Sequence, residues 1–153
     1  MKKIVLAVAL AFASSAALAS EMSMTSPDAL KWGPAPDAFE KGSEVAVLAG
    51  DPHKAGPFTL RLKMPAGYKI NAHNHPSTEN VTVISGTVNL GMGDKLDMKK
   101  TTALTPGGFV SLPATMNHFV WVAEPTIVQV SAEGPFALTY VNAADDPRNK
   151  KKK

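Results

Sequence analysis

A single all-β domain is what this sequence predicts, and three observations carry the expectation. From Glu44 to Val141 the chain breaks into short apolar stretches roughly ten residues apart, punctuated by Gly, Pro and Asn. Phe58, Leu60, Leu62 and Met64 alternate with Thr59, Arg61 and Lys63, the two-residue period of a strand with one apolar side. No segment sustains the 3.6-residue apolar period of a helix. At 153 residues there is material for one sizeable core.

In order, the expected strands are Glu44 to Ala49, Pro57 to Met64, Tyr68 to Ala72, Val81 to Ser85, Thr87 to Gly91, Thr101 to Leu104, Phe109 to Leu112, His118 to Ala123, Thr126 to Ala132 and Phe136 to Val141. Tight turns at Ser85-Gly86 and Gly107-Gly108 separate them, which favours a sandwich or barrel over a parallel α/β sheet. Composition alone does not separate sandwich from barrel.

Outside the strands the chain divides simply. Residues 1–19 read as a secretory signal peptide: Lys2 and Lys3, an apolar run from Ile4 to Phe12, then small residues ending Ala17-Leu18-Ala19. Export to the periplasm or the medium is the expectation, without a transmembrane anchor, because no stretch approaches the roughly 20 apolar residues that spanning needs. Residues 20–41, with Pro27, Pro34 and Pro36, suit an arm laid over a core. Met22 and Met24 fall in that arm, too few for a thioether metal site. The folded domain is expected over 42–146, followed by a basic, disordered tail over 147–153.

The formal charge of +3 comes from the ends, since setting aside Lys2, Lys3 and Lys150 to Lys153 leaves 10 basic against 13 acidic residues. The body carries no basic stripe interleaved with aromatics, so nucleic acid is excluded as a partner class. Cysteine is absent, which removes disulfides, thiolate nucleophiles and thiolate ligands together.

The chemistry lies with the histidines. Three of the four sit in two windows, Gly67 to Glu79 and Pro113 to His118. On a strand, residues i and i+2 share a side, so His73 and His75 project together, and Glu79 can fold back after the Pro76 turn. His118 opens a later strand that a barrel can set beside them. Imidazoles with one carboxylate suit one divalent transition metal, Fe, Mn, Ni, Cu or Zn, and not calcium. A lone histidine is usually an ordinary polar residue; His53, in the Asp51-Pro52-His53-Lys54 turn, is read that way, as a solvated loop residue. Phe119 and Trp121 should point away from His118, beneath the arm or into a subunit contact. Arg61 is a candidate for binding an anionic substrate, against the commoner exposed arginine.

These windows resemble the two signature motifs of the cupin superfamily, G-x5-H-x-H-x3-E-x6-G and G-x5-P-x-G-x2-H-x3-N. Gly67, His73, His75, Glu79 and Gly86 match the first throughout; Gly107, Pro113 and His118 match the second, with Thr115 in place of its second glycine and Val122 in place of its asparagine. Thr115 leaves the turn geometry open, and Val122 makes that wall of the cavity more apolar. The resemblance implies a jelly-roll β-barrel of six to eight strands, often a homodimer, with His73, His75, Glu79 and His118 as metal ligands and a small-molecule ligand or substrate. Two functions follow from it: a metal-dependent dioxygenase or isomerase acting on a small chelating substrate, with Glu79 as a possible base, or a non-catalytic module that binds or senses a metal or small ligand. Function resides in the site, so the fold does not choose between them.

Overall fold

The computed structural model describes Met22 and residues 24–150. The expected signal peptide, residues 1–19, and Lys151 to Lys153 lie outside the described residues.

Among the described residues eleven strands follow in chain order: β1 Gly33–Pro34, β2 Glu44–Ala49, β3 Gly56–Met64, β4 Lys69–Asn74, β5 Glu79–Ser85, β6 Val88–Met92, β7 Thr102–Leu104, β8 Phe109–Leu112, β9 His118–Trp121, β10 Thr126–Gly134 and β11 Thr139–Tyr140. They form a six-stranded sheet, β1-β2-β3-β10-β5-β8, and a five-stranded sheet, β11-β4-β9-β6-β7. Every pairing is antiparallel. This is the jelly roll, with most strands within two residues of their expected ends.

The alternating apolar faces of the strands meet between the sheets. Leu62, Val83, Val128 and Val130 from the larger sheet join Ile70, Val88 and Val122 in one buried cluster. Fully burying one such aliphatic side chain contributes about 1.5–3 kcal/mol, so this layer is the main stabilising element. Gly86 shows how tightly the turns close: its φ is +74°, and a Cβ there would meet Thr126 Oγ1 at 2.4 Å. Only glycine combines that conformation with that approach.

Four expectations need correcting. Phe136 to Val141 is a strand only at Thr139–Tyr140, because Pro135 carries no amide hydrogen for a ladder and the Ala137 and Leu138 carbonyls accept from His75 and Arg148 side chains. Pro147–Asn149 is a 3₁₀ turn capped by Asp146, and Lys150 pairs with Glu40, so this part of the expected disordered tail is anchored. Phe119 does face away from His118, but it packs on Gly91 of its own chain, where a Cβ would lie 2.2 Å from its ring, and is buried there without a second subunit. Val122 is fully buried in the core cluster and does not line the cavity.

The arm carries short structure of its own, a 3₁₀ turn at Pro27–Ala29 and β1. Beyond β1 it crosses the barrel mouth as a strap. Tyr140 Oη donates to the Ala38 carbonyl at 2.9 Å, and Tyr68 Oη donates to the Glu40 carbonyl.

Candidate metal centre

The site is built on one rung of the smaller sheet. In register across β11, β4, β9 and β6 stand Tyr140, His73, His118 and Met92. A bulge makes that rung possible. Ile70 pairs with Val120 and His73 with His118, so β4 spends three steps where β9 spends two. Strict alternation from Ile70 would turn His73 and His75 outward; with the bulge, Ile70, His73 and His75 all line the cavity. Glu79 comes from the opposite sheet, as the first residue of β5.

All four side chains are buried: His73 3%, His75 4%, Glu79 8% and His118 2% exposed. Each imidazole is held by a backbone carbonyl at its Nδ1. His73 donates to Asn71 at 2.7 Å, His75 to Ala137 at 2.8 Å and His118 to Met116 at 3.0 Å. A carbonyl only accepts, so a proton sits on each Nδ1, and in a neutral ring so held Nε2 is the nitrogen that carries the lone pair. The three rings each offer a nitrogen within 4.8 Å of the others.

Glu79 Oε2 lies 3.4 Å from Nε2 of both His75 and His118. That distance would suit an ion pair with a protonated imidazole, yet His75 Nε2 has no hydrogen-bond donor or acceptor against it. Burial pushes the His75 pKa down, opposed by Glu79; burial, then repulsion from His118 and His75, pushes His73 well below the ordinary imidazole value. For His73 and His75 the neutral ring is therefore favoured. The His75 Nε2 lone pair then faces the Glu79 carboxyl group without a hydrogen-bond partner, an arrangement that a cation between them would satisfy. Ligand atoms about 2.0–2.1 Å from one metal stand roughly 2.9–3.4 Å apart; the two Glu79 distances reach that range, and the three imidazoles, with nitrogens within 4.8 Å of one another, could hold one ion.

Phe136 supports the ring of His75 from its other side, stacked with centroids 4.3 Å apart. Sequence reasoning assigned Phe136 to a strand and missed this role, for which the sequence offers no signal. At Thr115, the position where the motif has glycine, φ is +64°, and Thr115 N–H donates to the His75 carbonyl at 2.8 Å. The threonine thus adopts the glycine-like conformation and ties the two motifs together.

From the centre opens a cavity of about 420 Å³. His53 is exposed in its turn, as the sequence suggested, and also borders the cavity rim. Arg61 is half-buried outside the cavity: its Nε donates to Gln129 Oε1 at 3.4 Å, on the opposite side of β3 from Leu60 and Leu62. Among the described residues no helix is long and apolar enough to cross a membrane.

Two antiparallel sheets rolled over such a centre define a cupin-type double-stranded β-helix. By family the chain belongs to DUF4437, a domain of unknown function, whose model matches residues 13–139. No curated protein matches the sequence. Among solved structures, it resembles the polyketide cyclase RemF from Streptomyces resistomycificus, with a TM-score of 0.68 and 17% identity over 83% of this chain and 90% of that one. A proposed acetylacetone dioxygenase from Methylibium petroleiphilum PM1 aligns with a TM-score of 0.62 and 22% identity over 86% of this chain and 90% of that one. An RmlC-like cupin from Shewanella frigidimarina NCIMB 400 aligns at 0.57 and 14%, over 74% and 91%. At these identities the likeness establishes the fold alone.

Proposed function

We propose that this protein is an exported metalloprotein in which His73, His75, His118 and Glu79 hold one divalent transition metal, acting as a dioxygenase or isomerase on a small chelating substrate. One observation carries the reading: three buried imidazoles, each committed at Nδ1 to a carbonyl, present Nε2 lone pairs beside the Glu79 carboxylate at the end of a cavity. Such a metal supplies a Lewis acid, and with Fe, Mn or Cu a redox centre, with positions left open for a chelating ligand.

The chain's own groups define the rest. The aliphatic strand faces exclude water, which strengthens every electrostatic interaction at the centre. In this reading the Glu79 carboxylate also supplies a base, its oxygen not committed to the metal accepting the proton that a hydroxyl or enol loses when it binds as an oxyanion. The carbonyl contacts at Nδ1 fix ring orientation, so no reorganisation accompanies binding. The dioxygenase and cyclase names among the structural relatives support a catalytic over a purely sequestering role. Export rests on the Lys2-Lys3 start, the apolar run and the Ala17-Leu18-Ala19 ending.

Elemental analysis of the purified protein and of His118→Ala tests the centre. About one metal per chain in the parent and a loss in the variant is expected; equal metal content in both would overturn the assignment. Oxygen uptake or product formation with catechols and diketones then tests turnover, and saturable binding with neither leaves a binding protein.

A further inference from the structure

The cavity wall is more selective in its chemistry than the metal centre is. Every strand residue that lines it, apart from the four ligating side chains, is aliphatic or methionine: Leu60 on β3, Val81 on β5, Leu90 on β6, Val110 on β8 and Val130 on β10 are representative. Among the described residues no serine, threonine, asparagine, glutamine, tyrosine or lysine lines it. The other charged or polar lining groups, Asp37, His53 and Arg148, come from the loop-built rim. Of these, Arg148 is already engaged, bonded to Asp146 through Nε and Nη2 and to the Leu138 carbonyl at 3.0 Å.

We infer that the substrate is uncharged and hydrocarbon-rich, with a single bidentate oxygen head, as in an ortho-diphenol or an enolisable diketone, and that carboxylates and polyols are refused. The inference rests on the proposed metal centre for the head and on the wall for the body. A carboxylate carried into this wall would lose its hydration and meet no cation, and each hydroxyl of a polyol would lose water without gaining a partner. A hydrocarbon body loses nothing and removes apolar surface from water on both sides. The volume of about 420 Å³ lies within the range of roughly 300–1,000 Å³ of small-molecule sites, so the head does not fill it alone.

Three ligands with one head and different tails test this: catechol, 4-tert-butylcatechol and 3,4-dihydroxybenzoate. Their dissociation constants are measured by calorimetry on the full chain loaded with zinc, which does no redox chemistry. The tert-butyl compound should bind at least about tenfold tighter than catechol, and the carboxylate about tenfold more weakly. Val110→Phe should shrink the tert-butyl advantage. Carboxylate binding as tight as that of the tert-butyl compound would overturn the inference. A second arm uses the metal-free protein and the uncharged fluorophore N-phenyl-1-naphthylamine. Saturable binding, displaced by tert-butylbenzene and not by benzoate, is expected; absence of saturable binding would overturn it. Failure to take up zinc would strike the metal reading alone, because the fluorophore still reports on the wall.

Discussion

Phe136 lies flat against His75, ring planes 15° apart, and its own amide donates to the Pro52 carbonyl at 2.7 Å. His75 is thus oriented by a loop, Pro135 to Leu138, that is itself pinned to the Asp51 to Lys54 turn. Replacing Phe136 by Ala removes the stacked face while leaving the Ala137 carbonyl in place. The expected result is a metal affinity weakened about tenfold, at the low end of what losing outer support of a ligand costs. Competition with a chromophoric chelator measures it, and an unchanged affinity would show that the carbonyl alone positions the ring.

Metal should stabilise the fold as well as equip it. At a hundredfold excess over the dissociation constant, a ligand bound only by the native state contributes about 2.7 kcal/mol. Thermal melts of chelated and reloaded protein should differ accordingly. In His118→Ala the difference should vanish.

Acid should destabilise the metal-free protein. His73 and His75 have lowered pKa values in the fold, with burial as the leading cause, whereas in the unfolded chain they titrate near the ordinary value of about 6.5. Below that pH the unfolded state binds more protons than the native one, so stability rises with pH and is lost as pH falls through about 6.5. Urea midpoints of chelated protein at pH 7.5, 6.0 and 5.0 should decrease in that order. A flat profile would show that the rings are protonated in the fold.

Thr115 carries strain that glycine would relieve. A non-glycine residue at φ +64° costs roughly 1–2 kcal/mol, offset in part by the greater freedom glycine regains on unfolding. Thr115→Gly should therefore raise stability by about 0.5–1 kcal/mol, with metal content unchanged. Chemical denaturation measures the shift, and a destabilised variant would mean that the threonine makes a contribution beyond its backbone.

The strap should loosen when its anchors are removed. Tyr68→Phe with Tyr140→Phe deletes the hydroxyls that hold the Glu40 and Ala38 carbonyls, each worth about 1 kcal/mol. Faster trypsin cleavage after Lys41, with a melting temperature lowered by roughly 5 °C or more, is the expected outcome.

By itself the sequence determined the strands, the sheet class and the candidate ligands, because two-residue alternation and motif spacing are local properties. Even Arg61 could be read as opposite to Leu60 and Leu62 from alternation alone. Tertiary structure decided which way the ligands face. The bulge between Ile70 and His73 is a consequence of pairing β4 with β9, and a single strand's pattern contains no trace of its partner's count. The same holds for Glu79 reaching from the opposite sheet, for the loop at Phe136 where a strand was expected, for His53 at the rim and for the strap over the mouth. Each depends on contacts between segments far apart in the chain, and these form only when the two sheets close on each other.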